Sequence, residues 1–261
     1  MHRAPEYRGG MATIDLNADL GETVDGVPTA DDEAMFAVIS SASVAAGGHA
    51  GDAASMREAV ARAQRFGVAI GAHPSFVDPA GFGRMTRRVD PDLLRAQVRE
   101  QLAALVTAGA DLRYVKPHGA LYHAVTGDDQ VADAVATAIA DLSAQLGRAL
   151  PVLGLGGAIA RAAQTRGLPF RSEAFLDRGY RADGSLVPRA EPGALLDDPD
   201  EVAVRAVRLA TEGMVTTVDG VEVRTEAISL CVHGDSPGAV SMARAVRAAL
   251  DAAGIEVRAP W

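Results

Sequence analysis

The chain has 261 residues, of which 48% are hydrophobic, and carries a formal net charge of -9. This charge argues against a surface for nucleic acid or an anionic membrane, so small molecules and proteins are the expected partners, and a homo-oligomer is compatible with the composition. No apolar run approaches the roughly 20 residues that span a bilayer, and no signal-peptide pattern is present, so we expect a cytoplasmic protein with no membrane partner.

Seven short apolar runs along the chain are each predicted to form a strand. Residues 1–12 precede them and are expected to be a disordered extension, whereas residues 13–257 are expected to form a single domain. The runs occupy residues 13–17, 42–46, 68–72, 112–116, 151–155, 169–173 and 227–232. Amphipathic stretches of helical period separate most of them, which predicts a mainly parallel sheet.

Helix starts are signalled by acidic or hydroxyl residues that stand before proline. Asp90 is expected to cap a helix whose first residue is Pro91. Asp198-Pro199 and Ser236-Pro237 repeat the arrangement before helices predicted at about 199–212 and 237–253. The single cysteine, Cys231, excludes an internal disulfide and is expected to be a buried core thiol.

Two segments interrupt the alternation of strand and helix. Residues 174–198 form a long connection, and residues 218–221 are predicted to form a type I′ hairpin turn. Polar motifs follow nearly every strand, and they can share one site only if the strand ends form a ring. We therefore predict an α/β fold, an irregular (β/α) barrel of about seven parallel strands with its site at the carboxyl end.

The first two motifs offer polar groups near strand ends. Alternation along a strand directs Asp15, Asn17 and Asp19 to one face, although a solvated loop is the alternative. His49 lies in a glycine-rich segment, and Asp52 after it is expected to cap a helix over about 53–66.

His73 and Arg84 belong to the third motif. Pro74 keeps His73 out of helical conformation, and Arg84 on a glycine-flanked loop suits a carboxylate ligand, although an ordinary surface charge fits equally well.

The fourth motif contains the only lysine of the chain, Lys116, against 24 arginines. An ammonium can lose its proton and a guanidinium cannot, so this lysine suggests chemistry, with a surface lysine as the alternative. Lys116 shares a face with His118 at a strand end, and His123 stands one turn later. Two further strand ends carry polar residues, namely Glu173 with Arg178, and His233 with Asp235.

Taken together, these segments resemble the LamB/YcsF family over about residues 13–257. The resemblance rests on Asp-Leu-Asn-x-Asp-x-Gly-Glu, His-Ala-Gly-Asp, Gly-Ala-His-Pro-Ser, Lys-Pro-His-Gly-Ala-Leu-Tyr, Glu-x-Phe-x-Asp-Arg-x-Tyr and Val-His-Gly-Asp. It implies a deformed β/α barrel related to glycoside hydrolases and polysaccharide deacetylases. It also implies ATP-dependent 5-oxoprolinase activity, which opens the 5-oxoproline lactam to L-glutamate, with partner subunits B and C.

Four positions depart from the family's usual pattern. The family usually has Asn, Cys and an aromatic residue where this chain has Ser43, Ala46 and Gly48, and commonly Asn in place of His123. Ala46 excludes a mechanism that needs that thiol, and Gly48 is expected to widen the pocket. Substrate choice is the property that these changes affect most.

The hypothesis for lactam opening assigns catalysis to strand-end residues. Lys116 and Arg84 would hold the substrate carboxylate or phosphate, and His118 or His73, oriented by Asp15 or Glu173, would transfer protons. Helix N-termini after Gly51 and Gly234 would add amides. The other substrate-binding candidates are Asn17, Asp19, His49, Asp52, Arg178, His233 and Asp235. ATP is the expected co-substrate, and because no Gly-x-x-x-x-Gly-Lys-[Ser/Thr] loop is present, its site is unconventional, shared or on partners.

Two other functions remain open at this point. A metal-dependent deacetylase of a small N-acyl or carbohydrate substrate would use Asp15, His49, His73 and His118 as candidate ligands of a divalent metal. A non-catalytic carrier would bind a small acid for partner subunits.

Overall fold

The fold is taken from a computed structural model that describes residues 12–236 and 238–261. The strands are β1 (Thr13–Leu20), β2 (Thr23–Val24), β3 (Val27–Pro28), β4 (Ser41–Ala45), β5 (Ala69–His73), β6 (Leu112–Val115), β7 (Val152–Gly154), β8 (Phe170–Phe175), β9 (Met214–Thr216), β10 (Glu222–Arg224), β11 (Ser229–Cys231) and β12 (Glu256–Val257). The helices are α1 (Asp32–Phe36), α2 (Ala53–Phe66), α3 (Pro91–Thr107), α4 (Gly119–Gly127), α5 (Asp129–Leu146), α6 (Ala158–Thr165), α7 (Pro199–Glu212) and α8 (Ala239–Ala252). The extension predicted over residues 1–12 lies, except for Ala12, outside the described residues. Among the helices described, none is long and apolar enough to cross a bilayer.

A closed ring of parallel strands confirms the predicted barrel. Its order is β1-β4-β5-β6-β7-β8-β11, and β11 pairs with β1 to close it, while β12 adds to the start of β1. All seven predicted runs are strands of this ring. It is irregular where β6 meets β7, because only Val115 and Val152 are paired there, and where the β5–β6 register shifts between Ile70 and Gly71.

The helices begin largely where their capping residues predict. Asp52, Asp90 and Asp198 each accept hydrogen bonds from the first backbone amides of α2, α3 and α7. The last helix departs from prediction, because α8 begins at Ala239 with Gly238 as its N-cap and Ser236 does not cap it. Pro237 lies outside the described residues.

The predicted hairpin is present, but its turn type was predicted wrongly. Strands β9 and β10 are antiparallel, and the amide of Gly220 donates to the carbonyl of Thr217 at 3.0 Å. A type I′ turn needs positive φ at both central residues, whereas here Gly220 has a φ of +76° and Asp219 is not in the left-handed region. The connection between β9 and β10 is longer than a two-residue turn, so the strands pair without a positive φ at Asp219.

Aromatic rings fill the end of the barrel where the strands begin. The indole of Trp261 stacks on Tyr114, with ring centroids 4.5 Å apart, and donates through Nε1 to Ser41 Oγ at 2.8 Å. The Tyr114 hydroxyl lies 3.0 Å from Ser43 Oγ. Gly71 makes room for the Tyr114 ring, which a Cβ at position 71 would overlap. Side chains therefore occupy the amino end of the barrel, and its carboxyl end remains for a cavity.

Candidate active site

A cavity of about 340 Å³ lies at the carboxyl end of the barrel. Its lining includes seven of the side chains predicted from the sequence to form the site, and these follow five different strands of the ring. They are Asp19, His73, Arg84, Lys116, His118, Arg178 and His233. The ring of strands thus brings His73, Lys116, His118 and His233 to one cavity on the same face of the molecule. Three other residues predicted for the site do not line this cavity, namely Asp15, His49 and Glu173.

Strand β1 sends a row of polar side chains into the barrel. Asp15, Asn17 and Asp19 point inward at successive depths, as alternation predicted, and all three are buried. Asn17 Nδ2 donates to Ser229 Oγ at 2.7 Å, and Ser229 Oγ donates to Asp15 Oδ2 at 2.5 Å. A polar column therefore extends down the barrel axis below the cavity.

Lys116 stands at the top of this column as a fixed ammonium. Its Nζ forms an ion pair with Asp19 Oδ1 at 2.6 Å, donates to Asn17 Oδ1 at 3.0 Å, and lies 3.5 Å from Glu173 Oε2. Burial alone would lower the pKa of Lys116, but the nearby carboxylates outweigh it and hold that pKa well above its usual value. This environment favours a permanent ammonium over an amine that loses its proton.

His73 and His118 form a pair whose ring nitrogens are oriented by backbone carbonyls. His73 Nδ1–H donates to the carbonyl of Lys116 at 2.7 Å, and His118 Nε2–H donates to that of Phe82 at 2.9 Å. The remaining nitrogens, His73 Nε2 and His118 Nδ1, face each other at 3.0 Å. Asp19 Oδ2 lies 3.3 Å from His73 Nε2.

Glu22 and His49 lie beside this pair. His49 Nε2 is 3.0 Å from Glu22 Oε1, and the His49 ring stacks on the His118 ring with centroids 3.6 Å apart. Burial lowers the pKa of His49 to about 3, and burial with the charge of Asp19 raises the pKa of Glu22 to about 8. Within the described chain, two groups have the geometry to hold a metal ion, Asp19 with His73 and His118, and Glu22 with His49 and His118.

His233 is oriented by a buried carboxylate on the opposite wall of the cavity. Its Nδ1 lies 2.9 Å from both carboxylate oxygens of Asp177 and donates to them. Burial would raise the pKa of Asp177, but His233 outweighs it and holds that pKa below its usual value. This arrangement leaves Nε2 of His233 as the ring nitrogen available to the cavity.

Arginines form the rim of the cavity. Arg178 is only 3% exposed and donates to the carbonyls of Ala194 and Val187. In the part of the chain that the structure describes, no carboxylate lies within ion-pair distance of Arg178 or Arg189. Arg84 pairs instead with Asp235. The rim therefore holds positive charge at Arg178 and Arg189 that no carboxylate pairs with directly, although Asp177 attracts both at longer range.

Several predicted site residues lie away from the cavity. Asp15 accepts hydrogen bonds from Ser40, Ser41 and Ser229 and contacts no histidine, since it lies four residues before Asp19 and so nearer the start of its strand. Glu173 likewise contacts Lys116 and Asn17 instead of orienting a histidine.

The glycine-rich segment also differs from prediction. Asp52 uses its carboxylate to bind the first amides of α2, so neither Asp52 nor those amides face the cavity. Gly48 does not widen the cavity, because the side chain of Gln101 occupies the space where a side chain at position 48 would lie. Gln101 Oε1 accepts from the backbone amide of Ser75, and Gln101 Nε2 donates to the Ser75 carbonyl. Ser43 and Ala46 are buried, and neither lines the cavity.

Glu22 and Asp177 were not assigned roles from the sequence, although each lies inside a motif. Glu22 ends the Asp-Leu-Asn-Ala-Asp-Leu-Gly-Glu segment, and Asp177 lies in Glu-Ala-Phe-Leu-Asp-Arg. Both could have been identified as acidic residues next to apolar residues near a strand end, because the same pattern identified Asp15 and Glu173.

Comparisons with known proteins agree on one family. The LamB/YcsF family model matches residues 14–260. The A subunit of a 5-oxoprolinase from Cutibacterium acnes is 48% identical over 95% of this chain and 99% of its own length. Its counterpart from Streptomyces griseus is 50% identical over 94% of this chain and 99% of its own length. The crystal structure of a lactam utilization protein from Thermus thermophilus is 42% identical, covers 95% of this chain and 99% of its own, and superposes with a TM-score of 0.87.

Proposed function

This chain belongs to the LamB/YcsF family, and from that premise we propose that it is the A subunit of a 5-oxoprolinase. It opens the lactam ring of 5-oxoproline to L-glutamate with hydrolysis of ATP, acting with partner subunits B and C. The names of its relatives support the assignment to 5-oxoprolinase. The observation that carries it is a small cavity that combines uncompensated arginines at the rim with an oriented histidine on the wall.

The arginine rim suits the carboxylate of the substrate. 5-Oxoproline is a small anion at neutral pH, and a buried guanidinium without a carboxylate partner gains most from such a ligand. Arg178 meets this requirement, and the half-buried Arg189 adds a second guanidinium beside it. Lys116, which the sequence suggested for this role, already has three oxygen partners from the protein, so its role is to fix Asp19 in place.

Proton transfer is assigned to His233. A general base needs one ring nitrogen open to the substrate and the other held by an orienting group. His233 meets this condition through Asp177. His73 and His118 do not, because their remaining nitrogens point at each other. His233 therefore takes a proton from the attacking water or delivers one to the ring nitrogen.

ATP activates a bond that is otherwise unreactive. Phosphorylation of the amide oxygen by the γ-phosphate releases ADP, makes the ring carbon electrophilic and turns that oxygen into part of a leaving group. Water then adds to the carbon, and the C–N bond breaks with protonation of the nitrogen to give an acyl phosphate of glutamate. A second water cleaves this acyl phosphate to glutamate and inorganic phosphate. The chain has no Walker-type phosphate loop, so the partner subunits contribute to the nucleotide site.

The deacetylase alternative keeps one specific point in its favour, since Asp19, His73 and His118 have the geometry of a metal site. The carrier alternative predicts binding of 5-oxoproline without turnover by any assembly that contains this chain.

The test is release of ADP that depends on 5-oxoproline, measured with subunits B and C added together and omitted in turn. We expect turnover only in the complete assembly. His233→Gln should lower kcat by about 10²–10⁴, and Arg178→Ala should mainly raise KM. The matched control is Arg171→Ala, an exposed arginine at the other end of β8, which should leave both constants unchanged. Absence of ADP release from the complete assembly would overturn the proposal.

A further inference from the structure

The gap between His73, His118 and Asp19 is built as a cation site. Three buried ligand atoms converge there, His73 Nε2, His118 Nδ1 and Asp19 Oδ2. The two nitrogens are 3.0 Å apart, and the carboxylate oxygen is 3.3 Å from His73 Nε2. Ligand atoms about 2.1 Å from one divalent ion, at angles near 90–109°, lie roughly 3.0–3.4 Å apart. These two separations fall within that range, and the third, from His118 Nδ1 to Asp19, is within 4.8 Å, so a bound ion would draw Asp19 toward His118.

The hydrogen bonds on the outer nitrogens direct the inner nitrogens of both rings into the gap. Both backbone carbonyls can only accept, so His73 Nδ1 and His118 Nε2 are protonated, and neutral rings present lone pairs at His73 Nε2 and His118 Nδ1. These two nitrogens at 3.0 Å need a proton or a metal ion between them. A backbone carbonyl on the second nitrogen is also the usual outer contact of histidines that bind metals.

The charges around the gap favour a cation as well. The buried carboxyl groups of Asp19 and Glu173 share the single ammonium of Lys116. Glu22 Oε1 lies 3.6 Å from His118 Nδ1, within reach of a fourth coordination position. The ammonium balances one of these two carboxylates, and a divalent ion would balance the other and favour ionisation of Glu22.

We propose that Asp19, His73 and His118 bind one first-row divalent metal ion of the zinc class at the floor of the cavity. Two imidazoles and one carboxylate select such ions over Mg²⁺ or Ca²⁺, which prefer oxygen ligands. When bound, such an ion supplies Lewis-acid polarisation of a carbonyl oxygen. This metal site can be tested independently of the proposed lactam opening, because binding of the ion is measured without turnover of a substrate.

The test uses the purified full-length chain, stripped with a chelator and titrated with ZnCl₂ by calorimetry. Wild type should bind one equivalent, and His73→Ala and His118→Ala should each bind at least about tenfold more weakly. His123→Ala is the matched control, because His123 is an exposed histidine at the cavity rim and should bind zinc as wild type does. Circular dichroism verifies the fold of each variant, and His73→Gln and His118→Asn replace any that fails.

Substitution with Co²⁺ gives a second readout. The wild type and His123→Ala should show visible d–d absorption of a histidine-ligated ion, and the variants of His73 and His118 should lose it. A wild-type chain that binds neither zinc nor cobalt, as expected if a shared proton fills the gap, would overturn the proposal. Undiminished zinc binding by folded variants of His73 and His118 would do so too, whatever the outcome of the ADP-release assay.

Discussion

The single lysine is explained by the space and partners around its ammonium. Lys116 is 1% exposed, and its Nζ is enclosed by Asp19, Asn17, Glu173 and the Cys231 sulfur at 3.2 Å. A compact point charge fits this enclosure, whereas a planar guanidinium is larger and requires a fork of acceptors. Lys116→Arg should therefore abolish turnover, and the enclosure predicts a loss of stability with it.

Removal of the ammonium should destabilise the barrel strongly. In Lys116→Met the carboxylates of Asp19 and Glu173 remain buried without their partner, so the free energy of unfolding should fall by about 3–5 kcal/mol in urea denaturation. The double variant Lys116→Met, Glu173→Gln should recover part of this loss. The control is Arg113→Met on the same strand, where the ion pair with Asp111 is largely exposed and contributes about 0–1 kcal/mol. A loss below about 1 kcal/mol for Lys116→Met would contradict the enclosed ion pair.

At the scale of elements, the loop of residues 81–84 orients His118. Phe82 has a φ of +50°, which is strained for a residue with a side chain, and its carbonyl accepts from His118 Nε2. Gly83 follows with a φ of +65°. A Cβ at position 83 would stand 2.7 Å from His49 Cβ and 2.8 Å from His118 Cδ2. The loop therefore fits closely over the two stacked histidine rings.

Gly83→Ala should disturb these rings, whereas Gly67→Ala should not. Both glycines have a similar left-handed φ, +65° and +69°, so each variant should lose about 1–3 kcal/mol of stability in thermal unfolding from backbone strain alone. Nothing lies within 4 Å of a Cβ at Gly67. We expect zinc affinity in the calorimetric titration to fall only in Gly83→Ala. Equal zinc affinity of the two variants would show that the loop does not position His118.

Local patterns predicted the elements well and the tertiary contacts poorly. Asp90 with Pro91 marked the start of α3 because a cap and its helix are adjacent in sequence. The depth of Asp15 could not be read in this way, because alternation assigns the face of a strand but not the distance to the cavity. Gly48 was misjudged for a similar reason, since Gln101 fills its space from a helix about fifty residues away.

Across the whole molecule, the polar column links the stability of the barrel to pH. Asp15 lies deepest in the column, where burial raises its pKa to about 6 despite hydrogen bonds from three serines. The folded chain therefore holds this proton more tightly than the unfolded chain. The resulting stabilisation is full below about pH 4 and is lost as the pH rises through about 6.

Asp15→Asn should remove this dependence. Wild type should lose roughly 3 kcal/mol of this contribution to its free energy of unfolding between about pH 4 and about pH 7, since one pKa unit corresponds to about 1.4 kcal/mol. The variant should not, so the difference between variant and wild type should grow by that amount in favour of the variant. Urea denaturation of both proteins at intervals across this range measures the difference. A difference that stays constant with pH would mean that folding does not raise the pKa of Asp15.

Trp261 is the only tryptophan of the chain, and it stacks on Tyr114 at the end of the barrel opposite the cavity. The molecule thus carries one tryptophan fluorophore, and its surroundings change when the amino end of the barrel opens. Ions or small acids that enter the cavity should leave its emission spectrum unchanged, while unfolding should shift that spectrum to longer wavelength. Intrinsic fluorescence can therefore follow denaturation of every variant, with or without ligand, without a signal from the binding event itself.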